Sequence, residues 1–153
     1  MVRKTLFIVL CWLSISLSAQ EDLVKSDSLT WEPFYKAALK KAKKERKPVL
    51  IYFKGSDWCA PCKIIEKELF LAERFQKMAN SSLILLEVDI PRDMTILSTD
   101  KLRDNLVVQK KYRVNSFPTL LFVNHRGRKI AEKKGYILTD YYYPFIEKVI
   151  RRY

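Results

Sequence analysis

Two cysteines follow a tryptophan in the stretch Trp58-Cys59-Ala60-Pro61-Cys62-Lys63. The apolar residues 49–53 precede it and predict a buried strand, and a helical pattern continues over residues 63–70. We therefore expect the two sulfurs at a strand-to-helix turn. The first turn of a helix offers free backbone N–H groups and partial positive charge, and both stabilise a thiolate. Because the thiolate is the nucleophile in disulfide exchange, the stretch predicts a reactive cysteine pair.

The N-terminal residues 1–19 have the pattern of a secretory signal peptide. Arg3 and Lys4 give a basic start, the run from Leu6 to Leu13 is apolar, and small residues lead up to Ala19. The apolar run is short for a membrane span, so we expect cleavage after Ala19 and export to a periplasm or secretion. Retention of the segment as a membrane anchor is the alternative.

The length predicts one domain after the signal peptide. We expect residues 20–29 to form a flexible lead-in and residues 30–153 to form the folded domain, with 48% apolar residues to build its core. Cleavage removes Cys11 and leaves Cys59 and Cys62 as the only cysteines. One closely spaced pair in an exported protein is not a disulfide-stapled scaffold, and it indicates redox chemistry instead.

The chain is basic, with a formal net charge of +12, of which Arg3 and Lys4 contribute two. Basic clusters can bind nucleic acid or anionic membranes. In residues 40–47, however, lysines alternate with alanine as on the outer face of a helix, which favours a solvated surface. With only 3 glycines, the sequence has no glycine-rich phosphate loop. We expect no nucleic-acid partner and no cofactor.

The remaining pattern predicts alternating helices and strands. Thr30 and Thr139 are expected to cap the first and last helices, and a bend is expected near Leu71. The predicted helices span residues 31–46, 63–70, 73–78, 101–112 and 140–152, and the predicted strands span residues 49–53, 83–88, 119–123 and 128–133. This order indicates an α/β fold with a central mixed β-sheet and helices on both faces.

Apolar spacing predicts which helical side chains face the core. The first helix is expected to bury a stripe that begins at Trp31, and the second is expected to turn Ile64 inward. The predicted anchors of the helix over residues 101–112 are Leu102, Leu106, Val107 and Tyr112. Residues 124–127 are expected to join the last two strands as a hairpin turn.

A second motif, Phe117-Pro118-Thr119, accompanies the cysteine stretch, and the two together resemble the thioredoxin family. The resemblance extends from Trp31 to Ile150. More narrowly, residues 53–59 and 88–91 are similar to exported bacterial thioredoxin-like proteins and to the C-terminal domain of membrane thiol:disulfide transporters. The resemblance implies a thioredoxin-like three-layer sandwich.

The resemblance also implies a role for each residue of the site. Cys59 would be the exposed nucleophile, and the more buried Cys62 would resolve the mixed disulfide with the substrate. Pro118 would be a cis proline opposite the pair, and the backbone of Phe117 would bind the substrate chain beside Trp58. The implied partners are proteins with disulfides and a membrane thiol:disulfide electron donor. We expect a monomer without a metal.

One position departs from the family pattern. Many thioredoxins carry a buried carboxylate on the strand before the cysteines, and it accepts the proton of the resolving cysteine. Here this position is Tyr52 or Phe53, and neither is an ionised base at neutral pH. Water or one of three nearby ionisable residues is expected to move the proton instead, but spacing does not select among Asp57, Lys63 and Glu66.

The same residues allow other interpretations. Oxidising members of the family often have His before the second cysteine, and Pro61 stands there in this chain, so a reductase is favoured over an oxidase or isomerase. A zinc or copper site needs more Cys or His ligands, and only His125 is available after the signal peptide. A thioredoxin-fold protein that binds a partner without turnover is the alternative from a different class.

Overall fold

The computed structural model describes residues 28–153. The signal peptide predicted for residues 1–19 lies outside the described residues, as does the predicted lead-in up to residue 27. The described elements are, in chain order, β1 (Trp31–Glu32), α1 (Tyr35–Glu45), β2 (Val49–Lys54), α2 (Ala60–Ile65), a π-helical turn (Glu66–Phe70), α3 (Glu73–Ser82), β3 (Ile84–Asp89), a 3-10 turn (Met94–Ile96), α4 (Thr99–Tyr112), β4 (Thr119–Val123), β5 (Lys129–Lys134), a 3-10 turn (Thr139–Tyr141) and α5 (Tyr142–Arg152). Among these helices, none is long and apolar enough to cross a membrane.

The strands form one mixed sheet in the order β1-β3-β2-β4-β5. Strands β1 and β2 run parallel to β3, β4 runs antiparallel to β2, and β5 runs antiparallel to β4. The central strand β2 is therefore hydrogen-bonded along both edges. The predicted strands are confirmed to within one residue at each end.

Residue alternation along β2 divides the core between the two faces of the sheet. Leu50 and Tyr52 face a cluster that contains both cysteines and side chains of α3 and α5. Val49, Ile51 and Phe53 face a second cluster, which includes side chains of α1 and α4. Helices thus cover both faces, and the predicted three-layer α/β architecture is confirmed.

The first predicted helix is wrong at its N-terminus. The pair Trp31–Glu32 forms β1 instead, and α1 begins only at Tyr35. Pro33 explains the change, because the residue before a proline is driven toward extended backbone. Thr30 is therefore not the N-cap. The carboxylate of Asp104 in α4 accepts the N–H of Tyr35 at 2.8 Å and supplies the missing cap.

Three side chains predicted to face the core are exposed, one on α2 and two on α4. Helix α4 buries Asn105 and Val108, and the amide of Asn105 donates to the carbonyl of Asp89 at 2.8 Å. A polar residue that faces the sheet breaks the apolar pattern, so spacing alone does not find all the buried positions of this helix. The side chains that are exposed instead of buried are Ile64, Leu106 and Val107.

Of three further predictions about helix ends, one is confirmed and two are wrong. The π-helical turn after α2 stops at Leu71, where the predicted bend is confirmed. Helix α3 runs on to Ser82. Thr139 does not cap α5, because it begins the 3-10 turn ahead of that helix and its hydroxyl donates to the Glu68 carboxylate at 2.8 Å.

The variant Gly127→Ala is expected to destabilise the fold more than Gly135→Ala. Both glycines have a φ of 72°, so both alanines carry backbone strain. At Gly127 a Cβ would also collide with the hydroxyl of Tyr35, which is hydrogen-bonded to Tyr112, whereas at Gly135 no atom lies within 4 Å. We expect urea unfolding to show a loss of about 1–3 kcal/mol more for Gly127→Ala. Equal losses in the two variants would contradict the packing described here.

Candidate active site

Cys59 and Cys62 form a disulfide at the start of α2, with an S–S distance of 1.99 Å. After β2 ends at Lys54, the carbonyl of Gly55 closes the turn by accepting the N–H of Cys59 at 2.9 Å. Cys59 is the N-cap residue of α2, and Pro61 lies in the first turn, where a helix N–H has no intrahelical partner to lose. The predicted strand-to-helix turn is confirmed.

Both cysteines are buried in the disulfide form. Cys59 and Cys62 are each 2% exposed, so the expectation of an exposed Cys59 beside a more buried Cys62 is wrong for this form. The half-buried rings of Trp58 and Phe117 pack against the cluster that contains the disulfide. The two rings meet edge to face, with their centroids 5.3 Å apart, and form an aromatic wall on this side of the cluster.

The bond between Phe117 and Pro118 is cis, as the resemblance implies. The next residue, Thr119, pairs with Phe53 at the end of β2 that leads into the cysteine turn. The carbonyl of Pro118 accepts the N–H of Gly135 at 2.8 Å, which ties the start of β4 to the end of β5. The structure therefore brings the two sequence motifs to the same end of the sheet.

Hydrogen bonds fasten the cysteine turn to the loop that follows β3. The Asp57 carboxylate accepts the backbone N–H of Arg92 at 3.0 Å and that of Asp93 at 2.9 Å. The indole N–H of Trp58 donates to the carbonyl of Ile90 at 2.9 Å. The hydrogen bond from the backbone of Asp93 and, to a smaller extent, the one from Arg92 hold the pKa of Asp57 below its ordinary value. Asp57 therefore fixes this loop to the cysteine turn.

Nothing local in the sequence identifies Arg92 as part of the site. Its guanidinium lies over the Trp58 ring, 5.5 Å from the ring centroid. A cation therefore stands beside the aromatic wall. Arg92 and Asp57 are separated by 35 positions, and only the parallel pairing of β2 with β3 brings their segments together.

Tyr52 is the strand residue on the same face as the cysteines. It belongs to the buried cluster of Cys59 and Cys62, whereas Phe53 belongs to the cluster on the opposite face. The Tyr52 hydroxyl donates to the carbonyl of Cys62 at 3.1 Å and makes a longer contact of 3.5 Å with Oε1 of Glu66. Where many thioredoxins carry a carboxylate, this chain therefore has a phenol in contact with Glu66.

Glu66 belongs to a network of charges at the end of β2. Nζ of Lys54 lies 2.9 Å from the carboxylate of Glu66 and 3.2 Å from that of Glu87. Burial works to lower the pKa of Lys54, but the bond to Glu66 and the charge of Glu87 outweigh it, so the pKa is raised. Burial, followed by the charges of Glu66 and Glu87, raises the pKa of Tyr52. The phenol stays protonated and acts as a donor.

The other residues considered from the sequence lie away from the disulfide or in solvent. Lys63 is exposed on α2. His125 lies in the turn between β4 and β5, at the end of the sheet opposite the cysteines. Within residues 28–153, no group of three or more His, Cys, Asp or Glu side chains is arranged to hold a metal ion.

The fold and the two motifs define a family. The family model described as a thioredoxin-like domain matches residues 35–150, and the chain belongs to this family. The resemblance inferred from the motifs is confirmed.

Two proteins of Chlamydia pneumoniae are similar in sequence. Thioredoxin-related protein DsbJ is 30% identical over 127 residues, which are 83% of this chain and 36% of DsbJ. Disulfide bond reductase DsbH is 30% identical over 108 residues, which are 71% of this chain and 64% of DsbH. The chain thus spans less than two thirds of the length of either relative.

A solved structure titled DsbH oxidoreductase has a TM-score of 0.74 and 27% identity, and the match covers 81% of this chain and 85% of that chain. The thiol:disulfide interchange protein DsbD of Yersinia pestis is 30% identical over 90 residues, which are 59% of this chain and 13% of DsbD. The match to DsbD agrees with the narrower resemblance seen in the sequence.

The variant Gly55→Ala is expected to displace the indole of Trp58. A Cβ at Gly55 would collide with that ring, and the ring cannot move without losing its hydrogen bond to the carbonyl of Ile90. In ¹H–¹⁵N NMR spectra we expect the Trp58 indole N–H signal to move toward its position in the unfolded chain. Gly135→Ala, where a Cβ meets open space, is the control and leaves the signal in place. An unmoved indole signal in Gly55→Ala would contradict the contact.

Proposed function

We propose that this chain is an exported thiol:disulfide oxidoreductase that reduces disulfides of other proteins through Cys59 and Cys62. The observation that carries the proposal is the disulfide at the start of α2 in a chain of the thioredoxin-like family. Two relatives, disulfide bond reductase DsbH and thiol:disulfide interchange protein DsbD, are named for the same class of reaction and support the proposal.

The reaction consists of two exchanges. In the reduced protein, the Cys59 thiolate attacks one sulfur of the substrate disulfide, and the other substrate sulfur leaves as a thiolate. Cys62 then gives up its proton and attacks Cys59, which breaks the mixed disulfide and releases the second substrate thiolate. The released thiolates take up protons from solvent. The substrate ends as a dithiol, the protein ends as the Cys59–Cys62 disulfide, and a donor dithiol restores the reduced form.

In this proposal Trp58, Phe117 and Pro118 hold the substrate chain beside the sulfurs. No hydrogen bond joins the backbone of Phe117 to the rest of residues 28–153. Its N–H and C=O are therefore available to an extended substrate segment, in the manner of an added strand. The aromatic wall of Trp58 and Phe117 adds an apolar contact.

The direction of electron flow and the location are part of the same proposal. Pro61 supports reduction, because it stands where oxidising members have a His that stabilises the thiolate. The signal-peptide pattern of residues 1–19 supports export to a periplasm or secretion. The electron donor is a membrane thiol:disulfide protein, and the chain acts as a monomer without nucleic acid or metal.

The burial of both cysteines favours one second candidate, a thioredoxin-fold protein that binds a partner without turnover. Insulin reduction with dithiothreitol separates the two functions. An oxidoreductase accelerates insulin precipitation and loses this activity in Cys59→Ser. If the unaltered protein and Cys59→Ser are equally inactive, the binding function is the correct one.

The variant Cys62→Ser is expected to accumulate mixed disulfides between Cys59 and substrate proteins, because the attack that releases them is lost. Non-reducing gels of the exported variant should show the adducts, and mass spectrometry should identify the attached proteins. The double variant Cys59→Ser/Cys62→Ser is the control and forms none. Adducts of equal abundance in the double variant would rule out Cys59 as the nucleophile.

A redox titration against glutathione is expected to give a reduction potential near that of reducing thioredoxins, about −270 mV. The variant Pro61→His is expected to raise the potential by tens of millivolts, because a neighbouring imidazole stabilises the thiolate of the reduced form. A potential near about −120 mV in the unaltered protein would contradict the reductase function and favour an oxidase.

A further inference from the structure

A cation stands at the edge of the aromatic wall formed by Trp58 and Phe117. The guanidinium of Arg92 lies over the Trp58 ring, 5.5 Å from its centroid, and the Trp58 ring meets that of Phe117 at a centroid distance of 5.3 Å. The Asp57 carboxylate accepts the backbone N–H of Arg92 at 3.0 Å and fixes the backbone of this residue against the cysteine turn. A positive charge is therefore held beside the surface that binds the substrate chain in the proposed function.

The side chain of Arg92 is exposed, and its donors are unused. Within residues 28–153 its guanidinium forms no hydrogen bond and no ion pair, whereas the guanidinium groups of Arg74, Arg103 and Arg151 each lie beside a carboxylate. A guanidinium carries five N–H donors in a planar fork that fits both oxygens of a carboxylate. The ligand that suits this group is therefore an acidic side chain.

We propose that Arg92 is a specificity-determining residue, which favours protein disulfides that carry Asp or Glu close to the reacting cysteine. This inference rests on the proposed oxidoreductase function and names the class of substrate on which it acts. The guanidinium binds the substrate carboxylate in the complex that precedes exchange. The bonds formed and broken, and the electrons transferred, are those of the two exchanges described above.

The reach of the substrate chain determines how near the acidic residue must be. An extended segment beside Phe117 rises about 3.3 Å per residue. The segment is separated from the guanidinium by two ring contacts, from the Phe117 ring to the Trp58 ring and from there to Arg92. An acidic side chain within about three residues of the substrate cysteine therefore comes within reach of Arg92.

The other charges near Arg92 do not neutralise it by pairing. The carboxylate of Asp57 is bonded to the backbone of residues 92 and 93, and that of Asp93 accepts the N–H of Thr95 at 2.9 Å and its hydroxyl at 2.6 Å. Both carboxylates are thus engaged by donors other than the guanidinium. Lys63, exposed on α2, forms no ion pair within residues 28–153 and adds a second positive charge. The strongly basic chain also attracts acidic partners at long range.

The test uses the reduced full-length protein and three disulfide-linked peptides that differ at one position, near a cysteine, where they carry Asp, Asn or Lys. The rate constant for reduction of each peptide is divided by that for its reduction by dithiothreitol, which removes differences in the reactivity of the peptides themselves. At low ionic strength we expect the Asp peptide to react about two- to fivefold faster than the Lys peptide after this correction. The ratio should approach one at about 1 M salt, because exposed charges are then screened.

Charge reversal at Arg92 gives the sharpest comparison. In Arg92→Glu we expect the order to invert, so that the Lys peptide reacts faster than the Asp peptide, and in Arg92→Lys we expect the original order. The readout is the ratio between two peptides, so a general change in the activity or folding of a variant cancels.

Arg126→Glu is the matched control, because Arg126 is exposed in the turn between β4 and β5, at the end of the sheet opposite the cysteines. This variant makes the same change in net charge as Arg92→Glu, and it should keep the preference for the Asp peptide.

Three results would overturn the inference while leaving the proposed function intact. The first is equal corrected rates for the Asp and Lys peptides with the unaltered protein, and the second is an unchanged order in Arg92→Glu. The third is an inversion of equal size in Arg126→Glu, which would assign the preference to net charge alone. Failure of the oxidoreductase function itself has a different signature, since the unaltered protein would then reduce none of the three peptides.

Discussion

The pairing of β2 along both of its edges is the constraint on which the rest of the site depends. Its antiparallel register with β4 sets Thr119 beside Phe53, so the cis Phe117-Pro118 bond arrives at the end of the sheet where the cysteine turn begins. Its parallel register with β3 brings the loop after β3 to Asp57 and Trp58. A displacement of β2 by one residue would exchange its two faces and separate all of these groups.

The same register determines which side chain of β2 packs on the side of the sheet that carries the disulfide. Alternation puts Tyr52, and not Phe53, on the face of Cys62. A phenol there is uncharged and can be buried completely when its hydroxyl finds acceptors, which the Cys62 carbonyl and Glu66 provide. The Glu66 carboxylate lies on the helical segment after the cysteines, where it is partly exposed and pairs with Lys54.

Much of the fold follows from local sequence signals. The parts that do not follow from them depend on contacts between residues that are distant in the sequence. The strands are short apolar runs bounded by turns, and the cysteine turn is marked by its own residues. The strand β1 has only two residues and exists because it pairs with β3, which no local pattern of Trp31–Glu32 reveals. The face of α4 is set by Asn105, a polar residue that reaches the carbonyl of Asp89. The contacts of the Tyr52 hydroxyl with the Cys62 carbonyl and with Glu66 require both the face of β2 and the path of the helix, which spacing does not give.

The most direct measurement is a single turnover of the reduced protein with one equivalent of an oxidised protein substrate, followed by intact mass spectrometry and peptide mapping. If Cys59 and Cys62 are the redox pair, the chain loses two hydrogen atoms and carries the Cys59–Cys62 disulfide, while the substrate gains two hydrogen atoms. An unchanged mass of the chain after the substrate has been offered would contradict the central claim that this pair transfers electrons to protein disulfides.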